Sequence, residues 1–445
     1  MSELFVFLDG REAGTVKQER GRLSFAYSDN WRSVEGAYPL SLSMPLAATE
    51  HPHSAIEPFL WGLLPDNEHV LRRWGQRFQV SARSAFALIS NVGEDCAGAV
   101  QFVRPERLEV LQNQTEPNVE WLTEAEIAAR LRVLRNDAAA GRAPQDAGQF
   151  SLAGAQPKTA LLFDGQRWGI PSGRMPTTHI LKPPTGDFDG FAENEHLCLS
   201  LARALGLPAA RSEVRAFEDV SAIVVTRYDR LRGADPSDPA RIHRVHQEDF
   251  CQALRVHPSL KYQNDGGPGP KQIVALLKAN ASAGAPRQKV RSGSKEGSPD
   301  PAYDEDIQTF VIALIFNWLI GATDAHAKNY SVMIGGGGLV RLAPLYDIAS
   351  VLPYPDIDPL KAKLAMKIGG EYRLRDIGHK QWRDLAADIG INPDEMVSRA
   401  RAMAERLPEN LEAEIEIANK AGLSHPVLRA LGEKLNERAA KLAKL

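Results

Sequence analysis

GATDAHAKNYS, residues 321–331, and LAPLYDIAS, residues 342–350, carry the most informative pattern in this chain. Asp324 is followed by Asn329, and a second acid, Asp347, comes after a Gly-rich turn. A carboxylate can orient or deprotonate a hydroxyl nucleophile. An amide oxygen and a second carboxylate can hold Mg²⁺ against nucleotide phosphates. The order and spacing therefore point to phosphoryl transfer from ATP, with Asp324 as base and Asn329 and Asp347 as metal ligands. Asp-x4-Asn alone describes a capped turn at a helix end equally well. Asp347 separates the two readings. LAPLY reads as a strand that pairs with Tyr330–Ile334 across four glycines, which returns Asp347 beside Asn329.

In the same loop, Lys328 offers positive charge to a transferring phosphoryl group. His326 is counted with the nucleotide-side residues, and its expected part is to brace the loop by hydrogen bonds. Upstream, Lys182 ends the strand THILK and precedes a helix bearing Glu193 and Glu195. A strand Lys followed by a helix acid matches a phosphate-binding Lys and its carboxylate partner, with the choice between the two acids open. SLAGAQPKT, Ser151–Thr159, feeds the strand TALLF. Its small residues, Ala153, Gly154 and Ala155, with Gln156, let backbone N–H groups approach phosphates, and Lys158 adds charge. By generic motif rules this stretch is an ordinary loop.

Further outward, 445 residues exceed what one core accommodates, so two or three domains are expected. A formal net charge of -3 gives no global nucleic-acid footprint. Cys96, Cys198 and Cys251 are far apart, which argues against zinc and disulfides and fits a reducing compartment. MSELFVFLDGREAG reads as a strand and turn rather than a signal peptide. The most apolar run, Phe310–Ile320, is shorter than the roughly 20 residues a bilayer span needs. A cytoplasmic protein without a membrane partner is expected.

The first hundred residues read as strand-rich. Leu4, Val6 and Leu8 alternate ahead of the hairpin cue Asp9-Gly10. A strand near Leu23–Tyr27, a helical stretch over FLWGLLPDNEHVLRRWGQRF and a strand at GAVQF follow. After a polar separator, Gln112–Asn118, Thr123 and Glu126 form a capping box for a helix carrying Ile127, Leu131 and Leu134. From Ser151 to about Phe250, strands (TALLF, THILK, AIVVTRY) alternate with a helix over Ala192–Leu205. Beyond Asp249 the chain reads mainly as helix, with Ile307–Ile320 apolar on most sides and so buried. Ser282–Pro301, rich in Gly and Ser and carrying Arg287, Lys289, Arg291 and Lys295, reads as a mobile basic loop. The fold class is α+β, with a strand-rich subdomain at 1–110, an α/β region at 111–255 and a helical lobe at 256–445.

SLAGAQPKTALL, HILKPP, ENEHLCLSLARALGL, TRYDR, HQEDFCQAL, KYQNDGGPG, GATDAHAKNYS and LAPLYD together resemble the HipA family of bacterial serine/threonine kinase toxins. LLPDNE and GEDCAGAVQF resemble its N-terminal region. The resemblance implies a two-lobed kinase-like fold that uses ATP and Mg²⁺. It makes Asp324 the catalytic base, Asn329 and Asp347 the metal ligands, and Lys182 a phosphate contact. It gives the QEDF segment, with Glu248 and Phe250, backbone contacts to adenine. It makes Ser151 a site of self-inactivating autophosphorylation. It further implies an aminoacyl-tRNA synthetase as protein substrate, inhibited translation, and persistence. The implied partner is a HipB-like helix-turn-helix antitoxin, through which the toxin joins a repressing complex on operator DNA. Pro157 stands where relatives often carry an acid, and the 282–301 insertion is not a fixed family feature. Two alternatives stand beside this: an ATP-dependent kinase of a small molecule using the same site, and a non-catalytic component of a repressor complex, against which the intact set of Asp324, Asn329, Asp347 and Lys182 argues.

Overall fold

The structure, a computed structural model, describes residues 2–113, 118–141, 150–186, 188–233, 241–280 and 301–443. Residues 282–300 of the basic segment and 114–117 of the polar separator lie outside the described residues. The chain divides into two compact units. The first comprises Met1–Thr185, Arg215–Ser259 and Met333–Gly338; the second comprises Gly186–Val214, Leu260–Val332 and Leu339–Leu445.

The first unit opens on a five-stranded antiparallel sheet. Its order is Glu50–Pro52, Arg22–Tyr27, Arg11–Glu19, Ser2–Leu8, Val100–Val103. Leu4, Val6 and Leu8 are all buried, as their alternation requires. Asp9 and Gly10 both have positive φ, so this two-residue turn matches the twist of the strands it joins. Gly14 is required by crowding, since a Cβ there would run into the Ala26 carbonyl. The helices His53–Gly62 and Ala85–Val92 bury Phe59, Leu60, Leu88 and Ile89 in the same core.

The helical stretch FLWGLLPDNEHVLRRWGQRF is two helices, His53–Gly62 and Glu68–Phe78. Pro65 cannot donate a backbone hydrogen bond and disfavours α geometry at Leu64, so the first helix ends before it. Asn67 then caps the second, accepting from the His69 and Val70 N–H groups.

A second sheet of this unit runs in the order Val220–Thr226, His179–Lys182, Thr159–Phe163, Trp168–Ser172, Asn118–Leu122. The part of Ser212–Phe217 that belongs to this unit flanks Val220–Thr226. From Val220–Thr226 to Asn118–Leu122, each strand runs antiparallel to its neighbour. The reading of alternating strand and helix missed Trp168–Ser172, which follows Thr159–Phe163 without a helix between them. On one face lies the helix Glu124–Asn136, started by the Thr123/Glu126 capping box and burying Ile127, Ala128 and Leu131. A separate cluster joins Phe150 and Leu152 to Ala160 and Ile180, and so seats the start of the SLAGAQPKT loop on this sheet.

The second unit is mainly helical: Phe191–Ala204, Pro270–Asn280, Pro301–Ile320, His379–Ile389, Pro393–Lys420 and Pro426–Leu442. It also carries a short hairpin, Lys363–Ile368 with Glu371–Arg373. From Phe310 to Ile320 only Ile312 is not fully buried, because the run is apolar on nearly every face. Gly321, with φ +68, closes this helix: its N–H donates to Trp318 O and that of Ala322 to Asn317 O. Among the described residues no helix is long and apolar enough to cross a membrane.

Candidate active site

In the second unit the abrupt end at Gly321 delivers the chain into residues 322–330 beside a buried helix. Asn329 holds this loop closed, its side-chain amide donating to the Asp324 carbonyl at 2.8 Å. The His326 N–H donates to the same carbonyl (2.8 Å), and the Asn329 N–H to His326 O (2.9 Å). Using the Asn329 nitrogen in this way leaves its oxygen as the atom suited to a cation. Asp324 is exposed, and the Tyr262 hydroxyl donates to its Oδ1 at 2.5 Å. His326, Lys328 and Asn329 are buried. The Tyr262 ring meets the His326 ring edge-on at 4.9 Å.

Asp347 does not end a strand. In its hairpin Ser331–Ile334 pairs with Val340–Leu342, and that pairing closes with Ala343 N–H donating to Ser331 O (2.9 Å). Pro344 has no N–H to extend that ladder. Leu345 instead exchanges backbone hydrogen bonds with Pro208 and Ala210, both 2.8 Å. The turn leaves Asp347 in left-handed geometry at φ +59, uncommon outside glycine and best tolerated by Asp and Asn. Tyr346 ties the two halves of the site together: its hydroxyl donates to Lys328 O (2.8 Å) and lies 2.6 Å from Ser331 Oγ. Beyond Asp347, Ser350 accepts from and donates to the buried Asn194 side chain, anchoring the segment to the helix Phe191–Ala204. On that helix Glu195 is buried and Glu193 is half-buried.

The oxygens of Asn329 and Asp347 are hard donors of the kind Mg²⁺ prefers. Among the described residues no group of three or more His, Cys, Asp or Glu forms a metal cage. A two-ligand set fits a cation that takes its remaining ligands from phosphates and water. These two residues would hold it, and it would supply charge neutralisation at the phosphates.

The first unit carries the other group of expected residues. Ser151 is fully buried, with Oγ donating to Leu63 O at 2.7 Å and N–H to Asp95 O at 3.0 Å. Gly154 has φ +100, and its carbonyl accepts from the Asp66 N–H. Lys158 folds back over the loop to donate to Ala153 O at 2.7 Å. A Cβ at Gly154 would stand 2.5 Å from that ammonium, so a side chain there would displace it. Ala155 and Gln156 form the bend of the loop, Ala155 being exposed. Lys182 is buried at the end of an interior strand of the sheet.

Glu248 and Phe250 turn their side chains into the unit. The Glu248 carboxyl accepts from Leu42 N–H at 2.7 Å, and burial pushes it up to about 8. Phe250 is fully buried in a turn capped by Asp249.

One buried feature was not visible as such in the sequence. Asp95, Arg227, Asp229, Arg230 and Arg244 are all buried in the first unit. Arg227 donates to both Asp229 oxygens (3.1 and 2.9 Å), and Arg230 to Asp95 (2.9 Å). Thr177 donates to Asp95 through both its hydroxyl and its N–H. Burial alone would raise the Asp95 carboxyl, but Arg230, Arg227, Arg244 and Thr177 bring it down to about 2. The network joins GEDC to TRYDR and fixes the residue that receives the Ser151 N–H. Its one sequence signal was the charge of TRYDR directly after the apolar AIVV, since buried charges must be paired.

Two family descriptions match the chain: the HipA N-terminal domain over residues 4–103 and the HipA-like C-terminal domain over residues 150–411. A Sinorhizobium fredii protein named "Putative kinase Y4mE" is 38% identical, covering 87% of this chain and 86% of its own. The serine/threonine-protein kinase toxin HipA of Shewanella oneidensis is 28% identical over 86% of this chain and 82% of its own. A solved structure of Shewanella oneidensis HipA, with HipB and operator DNA, has a TM-score of 0.76 and 26% identity and covers 99% of both chains.

Proposed function

This chain belongs to the HipA family and is a serine/threonine protein kinase, and from that premise we propose that it is the toxin of a toxin–antitoxin pair. In this reading it transfers the γ-phosphoryl group of ATP to a hydroxyl of an aminoacyl-tRNA synthetase, which inhibits translation and growth and favours persistence. Its partner is a HipB-like antitoxin, and through it operator DNA. The support for partner and DNA is the Shewanella oneidensis HipA structure, which contains both.

The observation that carries the catalytic reading is the loop closed by Asn329 on the Asp324 carbonyl, with Tyr346 bonded beside Asn329 and preceding Asp347. Asp324 would accept the acceptor's proton as that oxygen attacks the γ-phosphorus and the bond to ADP breaks. Asn329 and Asp347 would hold Mg²⁺. Lys182 and Lys328 would balance phosphate charge, and Ser151–Lys158 would present backbone N–H groups to the phosphates. Glu248 and Phe250 would contribute main-chain contacts to adenine.

Ser151 would be the autophosphorylation site. Its hydroxyl is committed to Leu63 O, so the loop must first leave its seat. A phosphate adds about -1.5 to -2 charges, which would disfavour both its return and ATP binding.

The test is transfer of γ-labelled phosphate from ATP with Mg²⁺, comparing wild type and Asp324→Asn, alone and with purified aminoacyl-tRNA synthetases. Label on a synthetase that the mutant fails to place supports the reading. Label on the protein alone moves the substrate elsewhere. ATP binding without any transfer would favour a regulatory role.

A further inference from the structure

The segment Leu260–Gly269 has no part in the proposed chemistry, yet it is built against the catalytic loop. The Tyr262 carbonyl accepts from the Asp265 and Gly267 N–H groups, at 3.0 and 2.9 Å. A Cβ at Gly267 would run into the Leu260 carbonyl, so only glycine closes this turn. Gln263 Oε1 accepts from the Lys367 N–H at 2.7 Å, which pins the turn to the hairpin Lys363–Ile368. The Lys261 carbonyl accepts from the Ala327 N–H at 3.3 Å, inside the DAHAKN loop. The Tyr262 ring lies edge-on to the buried His326. The turn is thus fixed on two sides, and its phenol reaches Asp324.

We propose that Tyr262 is a positioning residue for the Asp324 carboxylate, aiming one of its two oxygens at the acceptor hydroxyl. This rests on the assignment of Asp324 as the base. An exposed carboxylate rotates broadly about its terminal torsion. A phenol at 2.5 Å from Oδ1 is a short, charge-assisted hydrogen bond that fixes the carboxylate plane. Oδ2 would then be the oxygen offered to the acceptor. As the new O–P bond forms and the γ-phosphoryl bond to ADP breaks, the acceptor proton passes to Oδ2. Tyr262 keeps its own proton throughout. Its contribution is to orientation, so it acts on turnover rather than on ATP binding.

Three variants test this by phosphoryl transfer at saturating Mg²⁺–ATP, to the protein itself and to purified aminoacyl-tRNA synthetases. Tyr262→Phe keeps the ring on His326 and removes only the hydroxyl; Tyr262→Ala removes both; Asp324→Asn reports the base. Active sites are counted by ATP-binding stoichiometry, so loss of folded protein does not register as loss of turnover. The expected result is a kcat about tenfold lower in Tyr262→Phe, nearly as low as in Tyr262→Ala, with the KM for ATP unmoved. Wild-type kcat in Tyr262→Phe alongside a loss in Tyr262→Ala would reduce Tyr262 to ring packing and overturn the proposal. So would a rise in KM for ATP with kcat intact. Full activity in Asp324→Asn would instead overturn the assignment of the base, and the proposal with it.

Discussion

The Tyr346 hydroxyl donates to the Lys328 carbonyl at 2.8 Å, so the residues next to Asn329 and Asp347 are bonded to each other. Asp347 is in left-handed geometry, and this hydrogen bond helps hold the strained turn. Tyr346→Phe should therefore loosen the cation site without emptying the core. The Mg²⁺ concentration for half-maximal transfer should rise about five- to tenfold, in line with roughly 1 kcal/mol for a lost hydrogen bond. A Mg²⁺ titration of transfer measures it, and an unchanged midpoint would retire the idea.

Ser151 should report the state of its loop. Ser151→Ala leaves the buried Leu63 carbonyl without this donor and should cost about 1–3 kcal/mol of stability, read as a lower Tm. Ser151→Asp puts a carboxylate where a hydroxyl donates to a carbonyl. It should expel the loop, lower ATP affinity at least about tenfold and raise hydrogen exchange in residues 150–158. Wild-type ATP affinity in Ser151→Asp would remove the proposed off switch.

Glu248 predicts a pH dependence of stability. Burial raises its folded pKa to about 8, above the ordinary 4.5, so the folded state keeps a proton that the unfolded chain releases. Its contribution is complete below about 4.5 and falls as pH rises towards 8, by on the order of 1 kcal/mol per pH unit. Glu248→Gln keeps an acceptor for Leu42 N–H and cannot ionise. Its Tm should decline less than that of wild type between pH 5 and pH 8, as a paired set of thermal melts would measure. Parallel melting curves would assign the pH dependence to other groups.

The buried ion network predicts the opposite sign at acid pH. Asp95 has a folded pKa of about 2, below its ordinary 3.8, so its stabilisation is present above about pH 4 and is lost as pH falls through 2. Asp95→Asn leaves Arg230 and Arg244 short of a counter-charge and should cost about 3–5 kcal/mol near neutral pH. Urea unfolding gives that value directly. Because Asp95 O receives the Ser151 N–H, the same variant should increase exchange in the loop that begins at Ser151.

Local pattern in the sequence carried much of the fold. Alternation at Leu4, Val6 and Leu8, the Asp9-Gly10 turn and the Thr123/Glu126 capping box each involve residues a few positions apart. Their physics is therefore legible without the rest of the chain. The types and spacing of Asp324, Asn329 and Asp347 likewise named a chemistry. Where the reading went astray, the deciding partner was far away or the geometry was special. Leu345 takes its hydrogen bonds from Pro208–Ala210 because Pro344 cannot continue the hairpin, so the strand ends before LAPLY is complete. Tyr262 reaches Asp324 across 62 positions, and Thr177 and Arg230 reach Asp95 across 82 and 135. A side chain's residue type states which hydrogen bonds and charges must be satisfied on burial. Only tertiary packing decides which distant group satisfies them, and that choice seats Ser151, orients Asp324 and turns Glu248 inward.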